Sequence, residues 1–124
     1  AEAGTSKQCA GMAAALNDAV GILDQVSSDL LQQVAADVDL GLANATAYLD
    51  LFGRVVVGWI WLRQALVAER ALEAGAEGSE ADFYQGKLHA ARYFMDWELA
   101  GLASQAQLLR AGNRLTYDMQ DAWF

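Results

Sequence analysis

Not one proline interrupts the 124 residues. Proline breaks a helix interior because it lacks a backbone N–H and its ring strikes the preceding turn. A chain without it, whose eleven glycines are scattered rather than clustered, can run in long uninterrupted helices. Periodicity agrees. Met12, Leu16, Val20, Leu23, Val26, Leu30 and Val34 fall three or four residues apart, which is one stripe of a helix. Asp18, Asp24, Gln25, Ser28, Asp29 and Gln32 fill much of the other side. The pattern predicts a first helix over about 7–36.

The stripe weakens at "AADVDLGLAN", where Asp37 or Asp39 can accept a backbone N–H and cap the next helix. That second helix is predicted over about 40–74. One of its rows holds Leu42, Ala45, Leu49, Phe52, Val56, Trp59, Arg63 and Leu66, and another holds Tyr48, Val55 and Leu62. Its middle is therefore apolar on every side, which predicts burial on every side. Three helices would struggle to cover it. The clearest punctuation is "AGAEGSEAD". Gly75 and Gly78 suit a helix stop and turn, and Ser79 with Asp82 fits a capping box. A third helix is predicted over about 80–111, roughly 48 Å long at the usual rise per residue. One short turn is expected from Thr116, with Trp123 and Phe124 docked, because both are too apolar to stand in water. No strand-like alternation appears. The expected fold is all-α: one domain over residues 1–124, an up-down-up bundle of three long helices with a short helical tail.

Hydrophobic residues make up 55% of the chain, enough for a core, and the net charge is −8. An acidic surface repels phosphate backbones, so nucleic acid is a poor partner. Six arginines and two lysines are spread out, so no basic patch for anionic lipid is visible. The most hydrophobic run, Val55–Leu62, is eight residues between Arg54 and Arg63. A membrane span needs about 20, so this run reads as a buried helix segment. The opening "AEAGTSK" lacks the pattern of a signal peptide, and a cytoplasmic location is expected. The lone Cys9 allows no internal disulfide and reads as a small residue on a helix face.

The stretch "FYQGKLHAARYFMDWEL", Phe83–Leu99, concentrates aromatic rings, both signs of charge and the single histidine. It has the residue mix of an active site, but the known motifs fail. A carboxylate di-iron centre needs two Glu-x-x-His pairs, and here Gly86 stands three residues before the one histidine. Two-histidine zinc binding fails for the same reason. "DVDLG" lacks the spacing and closing glutamate of a calcium loop. No phosphate-binding glycine loop or serine elbow is present. Cys9 and His89 form no evident catalytic pair, since nothing supplies an orienting third group. His89, Arg92 and Asp96 share a helix face and read as a solvated face with an Arg92–Asp96 pair. No catalytic, cofactor-binding or metal-binding residue is nominated.

The rings sort by helical angle instead. Phe83, Phe94 and Trp97 fall on one side of the third helix. Tyr84, Leu88, Ala91, Met95, Leu102 and Leu109 form the adjoining row, and Tyr93 points elsewhere, near the His89–Asp96 side. This apolar arc is wider than one partner helix needs, which suggests a second contact surface. The candidate docking face comprises Trp59 and Trp61 on the second helix with Phe83, Tyr84, Phe94 and Trp97 on the third.

Two segments carry a family resemblance: "YLDLFGRVVVGWIWLRQALVAERAL" from Tyr48 and "DFYQGKLHAARYFMDWEL" from Asp82. Their most telling positions are Tyr48, Gly53, Gly58, Trp61, Phe83, Tyr84, Gly86, Lys87, Arg92, Tyr93 and Phe94. Together they resemble the helical domain at the C-terminus of a bacterial branch of acyl-CoA dehydrogenases, which includes 3-methylmercaptopropionyl-CoA dehydrogenase. The likeness covers essentially the whole chain, most clearly from Ala36 onward. In that family a proline commonly follows the Glu-Leu of the third helix. Ala100 and Gly101 stand there here, so a softened kink is expected.

The resemblance implies a larger flavoenzyme of which this chain is a C-terminal fragment. Such enzymes oxidise the Cα–Cβ bond of an acyl-CoA: a glutamate removes the α-proton and FAD takes the β-hydride. The FAD and acyl-CoA sites lie in upstream catalytic domains, so no cofactor is expected on this chain alone. Glu98 sits in a recognisable motif but carries no implied role. The implied function is a non-catalytic accessory domain packed on the catalytic body or a neighbouring subunit. The alternative is a free-standing helical interaction protein, in which a homodimer buries the excess apolar face. A small enzyme using His89 is a third reading.

Overall fold

The computed structural model describes residues 9–124, and these are all-α with no strand among them. Residues 7 and 8 of the expected first helix lie outside the described residues. Helix α1 spans Ala10–Ala36, α2 Val38–Leu42, α3 Ala45–Glu73, α4 Gly78–Tyr93, α5 Leu102–Arg110 and α6 Leu115–Asp118. A π-helical segment, Phe94–Leu99, joins α4 to a turn at Ala100–Gly101, and a 3₁₀ turn covers Asp121–Trp123.

The helix boundaries follow local chemistry. Asp37 takes an extended conformation (φ −153°, ψ 110°), ends α1, and accepts a hydrogen bond from the Leu40 N–H at 3.1 Å. It therefore caps α2, as its side chain allows. The expected second helix does not run unbroken from residue 40. α2 is a separate turn, folded back so tightly that a Cβ on Gly41 would lie 2.5–2.7 Å from Val34. At the end of α3, Gly75 adopts φ 93°, its N–H reaches the Leu72 carbonyl, and the Ala76 N–H reaches Ala71. This is the paired stop that a left-handed glycine permits. Gly112 (φ 62°) repeats it after α5, with Gly112 bonding to Leu109 and Asn113 to Leu108.

Two expectations on the third helix are corrected. The Ser79–Asp82 capping box does not form: α4 begins at Gly78, two residues early, so Ser79 lies inside the first turn and Glu77 occupies the cap without a side-chain bond. Nor is the helix continuous over 80–111. The break falls at Phe94–Gly101, where the π segment wraps extra residues into its turns before α5 resumes. The helix is thus interrupted at Ala100 and Gly101, the position where a softened kink was expected.

The core lies where α1, α3 and the α4–π–α5 segment meet. Val26, Leu51 and Leu102 are fully enclosed, with Leu16, Val55, Leu62, Leu88, Met95 and Leu99 around them. A Cβ on Gly58 would lie 3.2 Å from Leu99 and 3.4 Å from Leu16, so the three segments converge on that glycine. Polar contacts fix the register. The Ser27 hydroxyl and the Tyr48 hydroxyl are 2.7 Å apart, so later positions on α1 meet earlier ones on α3. Lys87 donates to Gln64, and Gln105 donates to the Ala47 carbonyl and to Asp50. Arg110 donates to Asp29 at 2.7 Å and to Gln25, joining α5 to α1. Trp123 (62% exposed) and Phe124 (95%) do not dock on the described residues, contrary to expectation.

Candidate docking surface

Helix α3 has two apolar faces. The inward one carries Leu51, Val55, Gly58, Leu62, Ala65, Ala68 and Glu69, all buried. The outward one carries Leu49 (69% exposed), Phe52, Val56, Trp59 (50%), Ile60 and Val67 (60%). The inward face uses small residues, and the outward one is bulkier. Neighbouring helices approach the small face closely and leave the bulky face in water. By length and composition α3 could cross a membrane, although the Val55–Leu62 run alone suggested otherwise. A core helix passes the same test, and α3 is packed along one whole face.

Helix α4 lies against α3 and forms an open groove of about 550 Å³ with it, lined by Ile60, Arg63, Val67, Phe83, Tyr84 and Lys87 among others. A second groove of about 460 Å³, lined by Trp61, Gly86, His89, Ala90, Tyr93 and Phe94, shares the α3–α4 junction. Lys87 links the two: its Nζ lies 5.6 Å from the Trp61 ring centre and 5.5 Å from that of Phe83. Arg63 lies 5.1 Å over the Trp59 ring. Such contacts hold a cation over a ring without neutralising it. Among the described residues no carboxylate comes within ion-pair distance of Arg63 or Lys87.

All six nominated residues therefore lie on α3, α4 or the π segment. Phe83 and Tyr84 line the larger groove, Trp61 and Phe94 line the smaller one, and Trp59 stands on the outward face. Trp97 is 71% exposed and stacks on Tyr93, centres 5.9 Å apart at 20°. Tyr93 thus joins the aromatic surface rather than pointing away from it. Trp61, Tyr84 and Phe94 are half-buried against the core. His89, Arg92 and Asp96 are exposed, and Arg92 and Asp96 form no ion pair. The π segment begins between them and offsets the four-residue register. Cys9 is fully buried while His89 faces water. Sequence reasoning missed Leu49, Phe52, Val56, Ile60 and Val67 as surface residues. Leu49, Phe52 and Val56 stood in a legible row, but the helix middle was expected to be buried on every side.

Electrostatic perturbation gathers at the opposite end of α3, where the tail returns. Asp37 is held below the usual carboxylate range, first by the Leu40 N–H and also by the Tyr117 hydroxyl, which donates at 3.2 Å. Tyr117 is pushed up by the same bond. Arg114 is raised by its hydrogen bonds to Asp118. Asn44 donates to the Asn113 carbonyl nearby. This cluster seats the tail and lines none of the grooves. Among the described residues no group of three or more His, Cys, Asp or Glu could hold a metal ion.

Among the described residues the fold leaves one apolar face of α3 uncovered. Residues 1–120 match the family model described as acetyl-CoA dehydrogenase C-terminal like, and the chain belongs to that family. It is also 32% identical over 116 residues to the broad-specificity linear acyl-CoA dehydrogenase FadE5 of Mycobacterium tuberculosis. That match takes in 91% of this chain and 19% of the relative, so the chain spans about a fifth of the relative's length.

Proposed function

We propose that this chain is the non-catalytic C-terminal accessory domain of an FAD-dependent acyl-CoA dehydrogenase, a larger enzyme that oxidises the Cα–Cβ bond of an acyl-CoA. Residues 1–124 form one helical domain, its three long segments running up, down and up. Its α3–α4 surface packs on the catalytic body or on a neighbouring subunit of a cytoplasmic enzyme. The observation that carries this reading is the outward face of α3, which is bulkier and more apolar than a free surface tolerates. Family membership supports an acyl-CoA dehydrogenase as the enzyme that supplies the cover.

The flavin and the acyl-CoA belong to the other domains of that enzyme. In the larger groove the side-chain polar groups are Arg63, Gln64, Lys87 and Tyr84, and Gln64 already accepts from Lys87. This set offers no row of paired donors and acceptors to match a flavin ring edge. The test is to purify the chain alone and add FAD, acyl-CoA and an electron acceptor. The expected result is no tight flavin binding and no turnover, with association when the catalytic body is added. Tight flavin binding with acceptor reduction would overturn the proposal. The free-standing homodimer predicts instead a concentration-dependent self-association that the catalytic body leaves unchanged, readable by sedimentation.

A further inference from the structure

Resting on that reading, we infer that the outward face of α3 seats a single amphipathic helix of the catalytic body, with a carboxylate of that helix between Arg63 and Lys87.

Geometry selects a helix. The exposed apolar positions are Leu49, Phe52, Val56, Trp59 with Ile60, and Val67, with Arg63 filling the gap. Steps of three and four make one straight seam, the pattern that receives another helix lengthwise. From Leu49 to Val67 the seam runs about 27 Å, or five turns. A small aliphatic anion would suit the 550 Å³ groove at the Val67 end, but it would leave Leu49, Phe52 and Val56 in water. A crossing loop would cover only one or two turns.

Gly53 is a second, independent sign. A glycine inside a helix costs about 0.5–1 kcal/mol relative to alanine, so an internal one calls for a steric reason. Gly58 and Gly41 have such reasons within this chain, since a Cβ on either would crowd Leu99 or Val34. Gly53 has none: nothing lies within 4 Å of the Cβ it lacks. The same holds for Gly11, Gly21 and Gly86, but Gly21 sits among Asn17, Asp18, Asp24 and Gln25, and Gly86 among Asp82, Phe83, His89 and Ala90. Around Gly53 the corresponding neighbours include Leu49, Val56 and Val57, all exposed. It forms a notch in an apolar ridge, where a partner backbone can approach.

Charge sets the orientation. Arg63 and Lys87 flank the Val67 end of the seam and, among the described residues, have only rings and Gln64 as partners. In a chain of net charge −8, two cations left without carboxylates beside an apolar groove match an acid on the incoming helix. The source is the polypeptide outside this chain, about four-fifths of the length of the FadE5 relative.

The test is hydroxyl-radical footprinting, read residue by residue, on the isolated chain and on the chain joined to its catalytic body or mixed with it. Labelling of Leu49, Phe52, Val56, Trp59 and Ile60 is expected to be high in the isolated chain. It should fall to the level of buried Leu51 when the body is present. A zero-length amine–carboxylate coupling should link Lys87 to an acid of one upstream helix. Gly53→Leu should abolish the protection while leaving the unfolding midpoint of the isolated chain unmoved or slightly raised. If protection appears instead at Trp97 or Trp123 and the seam stays labelled, the helix seat is wrong and the accessory-domain reading stands. If no residue of the domain is protected, both fail. A seam already protected in the isolated chain at high concentration means a second copy occupies it, which overturns the inference, as does coupling of Lys87 only within its own domain.

Discussion

The two faces of α3 invert the usual arrangement of a helix in a small domain. The buried face is built from Leu51, Val55, Gly58, Leu62, Ala65 and Ala68, and the exposed face from Leu49, Phe52, Val56, Trp59, Ile60 and Val67. Bulk on a face does not decide which side is inside. Distance does: glycine and alanine let α1 and the α4–π–α5 segment come close enough to exclude water, and a well-packed core depends on that closeness. The heavier face is left over and stands exposed.

Breaking the inward face should have the largest effect on folding. Leu51→Ala removes a fully enclosed side chain and should cost about 2–5 kcal/mol in chemical denaturation. The outward substitution Leu49→Ala should stay within about 0.5 kcal/mol in the isolated chain. Equal losses at the two positions would dissolve the distinction. One substitution made on both faces sharpens it. Gly58→Leu forces a side chain into Leu99 and Leu16 and should cost about 1–3 kcal/mol by overpacking. Gly53→Leu meets open space and should leave the midpoint of unfolding unmoved or slightly raised.

These contrasts also show what the sequence could and could not disclose. The stripe from Met12 to Val34 has one apolar side, so α1 was legible. The stops at Gly75 and Gly112 were legible because left-handed turns select glycine. Asp37 was legible as a cap for the same kind of local reason. α3 was legible as a helix but not in its orientation. When two rows are both apolar, periodicity fixes the period and leaves the phase open, and the expectation of burial on every side fails at the outward row. The π segment left no mark either. Phe94–Leu99 contains no glycine or proline, so no breaker residue marks the segment. Its offset of the helical register explains why Arg92 and Asp96 do not pair although four residues separate them.

Smaller effects probe the seams between helices. Tyr48→Phe deletes the hydroxyl bonded to Ser27 across α1 and α3 and should cost about 0.5–1.5 kcal/mol. The loss is limited because Ser27 also donates to the Leu23 carbonyl. The mildest effect concerns the tail. The carboxylate of Asp37 is favoured in the folded state, so its contribution is present above the ordinary carboxylate pKa of about 4 and is lost as pH falls through the lower folded value. Tyr117 is raised, so its bond is complete below its ordinary pKa of about 10 and is lost as pH rises through the higher folded value. The protection factors of the Leu115–Asp118 amides, with the intrinsic pH dependence of exchange divided out, should therefore be highest between those limits and should fall on either side. A flat profile would show that the Asp37–Tyr117 bond does not hold the tail.

The central claim is that the outward face of α3 is an interface. The direct measurement is sedimentation of this chain with a catalytic body lacking it, comparing the unaltered chain with a Val56→Asp, Ile60→Asp double variant. Circular dichroism should report the same helix content and the same unfolding midpoint for both chains, because both positions are exposed. The account predicts that the unaltered chain co-sediments with the body and the variant does not. A variant that is equally folded and binds equally well would contradict it.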